Sequence, residues 1–153
     1  MANEISTAGI LLKYAVEVSA GTRPTAGFTQ IPNVKSIPEF NAEPSNLEVT
    51  DLSDTVWKRY IPGLKDIGGA ISITVNFNDT FKTAWEAMMT AYTTAKASNK
   101  ATWFEYSIPG MDSFYFSGEP SELGFVGADV DSVFEGSVYI TPNTIAGFAA
   151  AST

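Results

Sequence analysis

The 153-residue sequence contains no cysteine and no histidine. A disulfide framework, a thiolate or imidazole metal ligand, a cysteine nucleophile and a Ser-His-Asp relay are all excluded. Long apolar runs are missing too. Glu4 precedes a five-residue apolar stretch, Ala8 to Leu12, that stops at Lys13, whereas a secretory signal needs a basic start and about 7 to 15 apolar residues. The longest run elsewhere, Ile145 to Ala151, falls far short of the roughly 20 residues that span a bilayer. A soluble product with no membrane partner is expected. Positive charge is absent from the last third: residues 101–153 carry seven acidic residues and no basic one, while residues 1–100 hold all nine basic residues and ten acidic ones. Phosphate contacts through clustered Lys and Arg supply most nucleic-acid affinity. A net charge of −8 and a pI near 4.4 therefore argue against stable nucleic-acid binding, though not against DNA passing an acidic wall.

What the chain does have is apolar bulk. It is 44% apolar and 12% aromatic but only 17% charged, which predicts a folded chain of one domain, about 15 Å in radius of gyration. Period-2 alternation predicts strands over Gly9 to Ser19 and over Ala70 to Asn78, where Ile71, Ile73, Val75 and Phe77 oppose Ser72, Thr74, Asn76 and Asn78. Thr102 to Ile108 and Ser113 to Ser117 flank a Pro109-Gly110-Met111-Asp112 connection and read as a hairpin. Ser132 to Thr141 adds another strand, and shorter ones are expected at Gln30 to Lys35, Asn46 to Leu52 and Leu123 to Gly127. Phe81, Trp85, Met88, Met89, Tyr92 and Ala95 recur every three or four residues and predict one helix, Asp79 to Ala97, with Asp79 capping it and Asn99 closing it. The stripe reads as core. The expected fold is mainly β: an antiparallel β-sandwich or barrel with one flanking α-helix and long loops, one domain over residues 1–144 and a flexible tail over 145–153.

Two stretches lack periodicity, within long loops expected at 20–46 and 53–69. Ala20 to Pro44 carries four prolines, and Ser53 to Gly69 shows neither helix nor strand pattern. Structureless loops beyond roughly 12 to 15 residues are usually functional or disordered. The second holds Val56, Trp57, Tyr60, Ile61, Leu64 and Ile67, which Pro62, Gly63, Gly68 and Gly69 keep off any single helical face. These side chains need a partner surface, either another subunit or the loop's own body. Burying them one contact at a time is marginal against the cost of association, so the pattern suits a repeating assembly.

Candidate chemistry is sparse. Asp51 with Asp54, and Asp129 with Asp131 and Glu135, are the carboxylate groups that could do acid-base work or hold a cation. The first group sits where Asp and Ser ordinarily turn the backbone. The second lies in a Gly-rich connection without calcium-loop spacing. No metal or other cofactor is expected. Trp57-Lys58-Arg59-Tyr60 mixes cations and aromatics, which suits base stacking but suits a protein interface better in so acidic a chain. Gly68-Gly69 precedes a strand, so no phosphate-binding loop is formed.

The ordered segments VTDLSD (49–54), KRYIPGLKDIGGAISITVNF (58–77), the helix, FEYSIPGMDSFYFSGEPSELGF (104–125) and VDSVFEGSVYITPNT (130–144) together resemble the major tail tube proteins of long-tailed, non-contractile bacteriophages, over roughly residues 45–144. The resemblance implies a non-enzymatic virion protein, made in the host cytoplasm, whose copies form rings, usually of six subunits in that family, stacked into a hollow tube through which DNA passes without stable binding. It implies tape measure, tail terminator and tail tip proteins as further partners. It assigns Val56, Trp57, Lys58, Arg59, Tyr60, Ile61 and Leu64 to contacts between rings or subunits. Ser72, Thr74 and Asn76 could line the bore. Tubes of contractile tails, tailocins and type VI secretion systems are similar and form the first alternative. A carbohydrate-binding β-sandwich, using exposed Trp and Tyr, is the alternative from another class, and a hydrolase built on paired carboxylates is the last.

Overall fold

Among the described residues, nine strands and one helix follow in the order β1 (Leu11–Val16), β2 (Thr29–Gln30), β3 (Val34–Ser36), β4 (Glu43–Glu48), β5 (Tyr60–Asp66), β6 (Ile71–Asn76), α1 (Asp79–Ala97), β7 (Thr102–Ser107), β8 (Ser113–Pro120) and β9 (Glu135–Ala149). The computed structural model describes residues 4–40, 43–66 and 69–152. Where the sequence pointed to one domain over 1–144, the chain forms two compact units, Met1–Pro38 with Ala70–Thr153, and Glu39–Gly69. The larger is an antiparallel sheet of order β2-β1-β7-β8-β9-β6-β3, and the smaller is the β4–β5 pair. The sheet curls into half a barrel, so the chain is mainly β with one flanking helix.

Alternation decides which side chains each face of the sheet receives. Register sets Leu12 opposite Tyr106, Phe104 opposite Phe116, Val138 opposite Ile73, and Ile140 opposite both Pro120 and Ile71. This apolar face is buried, and so is the stripe of α1 formed by Phe81, Trp85, Met88 and Ala95. The helix packs against β1, β7 and β8. Trp85 Nε1 donates to the Ser121 carbonyl at 3.0 Å, which removes the one polar cost of burying an indole. The cap is Asn78 rather than Asp79: Asn78 is extended and its Oδ1 accepts from Phe81 N at 3.0 Å. Asp79, one residue later, lies in the first turn, where its charge opposes the helix dipole favourably. At the other end Asn99 takes the left-handed φ of 57° that stops the helix.

The opposite face is covered at β7 and β8 by the chain between β1 and β2. Glu17, on the side of β1 that alternation leaves to solvent, is buried instead. Its carboxylate accepts from the amides of Ala101 (2.8 Å) and Gly21 (3.1 Å) and from Trp103 Nε1 (3.0 Å). Val18, within the strand expected over Gly9 to Ser19, lies past the strand end and is exposed. The Arg23 guanidinium stacks 4.1 Å from the Tyr115 ring centre, and Phe28 packs at 5.8 Å from the same ring. Part of the Pro-rich stretch is thus a lid on the sheet.

Beneath that lid Glu105 is fully buried. Tyr115 Oη lies 3.0 Å from Glu105 Oε2 and 2.7 Å from the Ala150 carbonyl, one proton serving two acceptors. Ser152 donates its amide (3.2 Å) and hydroxyl (2.7 Å) to the same carboxylate. Burial pushes the Glu105 pKa up, but the donors from Ser152 and Tyr115 and the nearby Ser113 hydroxyl together hold it below the ordinary carboxylate range. Ser113 Oγ acts there by proximity, since it has no hydrogen bond of good geometry. Instead of a flexible tail from residue 145, β9 runs to Ala149, with Ile145 opposite Phe116 and Phe148 opposite Phe114. Two register shifts along β8 and β9 hide that alternation from a period-2 reading.

No strand forms over Leu123 to Gly127. The chain there runs beside the start of β9, with Val126 seated on Gly136: a Cβ at Gly136 would lie 2.2 Å from Val126 Cβ. Among the described residues no helix is long and apolar enough to cross a membrane.

Because its pKa is lowered on folding, Glu105 contributes stability that is present above its unfolded pKa, about 4.3, and is lost as pH falls through the lower folded value. Glu105→Gln is expected to cost roughly 1–3 kcal/mol at pH 7 and to flatten the acid limb of stability below about pH 4. Thermal unfolding followed from pH 7 to pH 3 measures both. Gly136→Ala is expected to destabilise through overpacking by about 1–3 kcal/mol, and Val126→Gly added to it, which removes the clashing Cβ, should recover part of that loss. Thermal midpoints of the three variants read the recovery.

Candidate assembly surface

The smaller unit answers the question left by residues 53–69. Those residues are not wholly irregular: Tyr60–Asp66 forms β5, with Glu48 opposite Tyr60, Leu47 opposite Ile61 and Asn46 opposite Pro62. The strand escapes a sequence reading because Pro62 and Gly63 interrupt it. A two-stranded pair has only edges, which tolerate proline. Gly63 is required, since a Cβ there would come within 2.4 Å of Ser45 Oγ, which donates to the Leu64 carbonyl. The strand expected over Asn46 to Leu52 correspondingly lies earlier, at Glu43–Glu48.

The connection between the two strands is held by its own polar groups. Val49 N donates to the Arg59 carbonyl at 2.9 Å, and Arg59 N donates to Thr50 Oγ1 at 2.9 Å. Asp51 accepts from the amide (2.8 Å) and the hydroxyl of Ser53, and Asp54 Oδ2 accepts from Asp51 N at 2.9 Å. Arg59 closes the loop through Nε to Asp54 (2.8 Å) and a terminal nitrogen to Asp51 (3.2 Å). The Ser53 donors hold the Asp51 carboxyl below its usual range, and the Asp51 amide and Arg59 do the same for Asp54. Every candidate acid of this pair is therefore occupied in shaping the loop. Neither is poised to exchange a proton near neutral pH.

With its polar groups turned on themselves, the hairpin offers apolar ones to water. Val56, Trp57 and Leu64 are 78%, 80% and 91% exposed, and Tyr60 and Ile61 about half exposed at 53% and 48%. Leu52, which sequence reasoning passed over, is fully exposed beside them. Lys58 is exposed and makes no ion pair among the described residues, unlike Arg59. The expected contact residues thus share one small hairpin. Ile67 lies outside the described residues.

Ser72, Thr74 and Asn76 stand on the larger unit, on the face of β6 opposite its buried Ile71, Ile73 and Val75. Pairing with β9 sets them across from Tyr139, Ser137 and Glu135, which continues the polar surface. Lys35 neutralises Glu135 there.

A second apolar surface was not foreseen. Between β8 and β9, Phe125, Val130 and Val133 are 81%, 96% and 69% exposed amid Glu122, Asp129 and Asp131. The ring of Phe125 packs 5.9 Å from Phe134, and Phe134 lies 5.1 Å from Phe77. Asp129 and Asp131 are spread along this exposed segment, Glu135 is paired with Lys35, and among the described residues no three potential ligands converge on a metal position.

No protein-family model matches the sequence, and no curated protein matches it. Solved structures share its fold. A chain of the anti-feeding prophage (AFP) baseplate, 6-fold symmetrised, superposes with a TM-score of 0.61 over 100% of both chains at 7% identity. A chain from the tail of the empty GTA particle, refined with C6 symmetry, gives 0.58 over 95% of this chain and 100% of the other at 13% identity. A chain of the AFP tube-terminating cap gives 0.56 over 99% and 94% at 14% identity. At such identities the likeness establishes the fold: the one found in components of phage-like tail particles.

Proposed function

We propose that this chain is a structural subunit of a phage tail tube, that its copies associate into rings, six to a ring, and that the rings stack into a conduit for DNA. The observation that carries the reading is the β4–β5 hairpin. A lone two-stranded pair is at best marginally stable in water, and this one leaves Leu52, Val56, Trp57 and Leu64 uncovered. Burying those four side chains would gain roughly 6–12 kcal/mol gross. Association costs about 4–15 kcal/mol, so one contact hardly holds while many in parallel do. The six-fold symmetry of the AFP baseplate and GTA tail structures supports the ring, and the order of sequence segments supports a non-contractile tail. Ser72, Thr74 and Asn76 then belong to the bore, and strands β6 and β9 that carry this face contain no Lys or Arg to retain a polyanion. No catalytic group is assigned.

A second reading has its own support. Two of the structural neighbours come from a baseplate and from a tube-terminating cap, positions where a tube ends. A subunit of that kind would form single rings but not long stacks.

Negative-stain microscopy of the concentrated chain is expected to show tubes; rings alone at every concentration would favour the tube-ending role, and single particles throughout would refute both. Trp57→Ser is expected to shorten or abolish tubes while moving the stability of the unassembled subunit by no more than about 0.5 kcal/mol, as for other exposed sites. A thermal midpoint that falls steeply would mean that Trp57 covers its own body.

A further inference from the structure

Resting on that self-association, the groove beside the start of β9 supplies what the hairpin lacks, and we infer that it receives Trp57 and Lys58 of a second copy. The groove, about 540 Å³, lies between residues 122–126 and 136–139 and is lined by Leu123, Phe125, Val126 and Tyr139, with Glu122 also on its wall. That volume falls within the range of ordinary ligand pockets and has room for an indole. It exists because the chain after β8 keeps only one backbone bond to β9, Ser121 N to the Tyr139 carbonyl, before it runs on without forming a strand.

Three observations select the occupant. The groove sets the rings of Phe125 and Tyr139 within a mixed polar and apolar lining that suits an indole with its ring N–H, and Trp57 and both of those rings are exposed. Glu122 has no ion pair among the described residues, and neither has Lys58, the residue next to Trp57. Residues 101–153 hold no cation, Lys35 and Lys96 of the same copy pair with Glu135 and Glu119 but not with Glu122, and the hairpin carries a lysine, unpaired among the described residues, beside its largest apolar side chain.

The chain leaves the larger unit after Pro38 and re-enters it at Ala70, and the groove runs along residues 136–139 of β9, which pair with Val75 to Ser72 of β6. A hairpin of one copy seated in the groove of another joins unlike surfaces, so the contact is heterologous, and repeated without closure it propagates along an axis.

The full chain has no cysteine, so Lys58→Cys with Glu122→Cys, oxidised under assembling conditions, gives a clean reading on a non-reducing denaturing gel. A ladder of covalent multimers is the expected result. A bridged species of monomer size would overturn the proposal in favour of a hairpin folded onto its own copy. Tubes without any covalent link would overturn the groove as receptor while leaving self-association standing. Failure of the unaltered chain to assemble would overturn both. Charge reversal covers the case in which the paired cysteines disturb folding: Lys58→Glu and Glu122→Lys should each raise the concentration needed for assembly about tenfold, with thermal midpoints unchanged. Mixing the two variants should restore assembly, because alternating copies set opposite charges together at every contact. A mixture that assembles no better than either variant alone would overturn the pairing.

Discussion

Apolar side chains that the chain does not bury within itself are the constraint on which the rest depends. The larger unit buries most of its own: a helix closes one face of the sheet, and a Pro-rich lid with the carboxyl terminus covers part of the other, while Phe125, Val130 and Val133 stay exposed. The smaller unit has two strands and no third layer, so Leu52, Val56, Trp57 and Leu64 remain in water. Surplus apolar surface in two places, with charge of one sign around one of them, is the feature from which the proposed association with other copies is argued. The tail-protein fold and the proposed tube both follow that logic.

Four of the acidic residues hold the fold and the hairpin in shape. Glu17 and Glu105 are buried and surrounded by donors, where they fasten the lid and the carboxyl terminus to the sheet. Asp51 and Asp54 are exposed and bound to Arg59, where they set the shape of the hairpin connection. All four carboxyls are held below their usual range by hydrogen bonding to the charged form. A connection fixed in this way presents its apolar side chains with less to lose in ordering, which favours binding.

Much of the larger unit was readable from periodicity. The helix bounds, the alternation of β6 and the β7–β8 hairpin came from local pattern, because each of these elements exposes one side and buries the other. The errors share a cause. β5 was hidden by Pro62 and Gly63, which its edge position tolerates. The end of β9 was hidden by two register shifts. Leu123 to Gly127 has strand composition, but no partner strand forms alongside it. Glu17 looked outward-facing because alternation cannot foresee a lid. For the candidate surface, the exposed cluster Val56 to Leu64 was legible as a composition that no helix could organise, whereas Leu52, Phe125, Val130 and Val133 were not.

By itself, then, the amino-acid sequence determined the class of fold, the helix, the lack of thiol and imidazole chemistry, the one-sided charge and the presence of apolar residues without an obvious core. These are properties of composition and of short-range period. Only the tertiary structure decided which carboxylates are buried and bonded, which strand continues past its apparent end, and where a groove opens beside β9. Those features arise from pairing between residues far apart in the chain, and no local pattern encodes which distant segment will arrive.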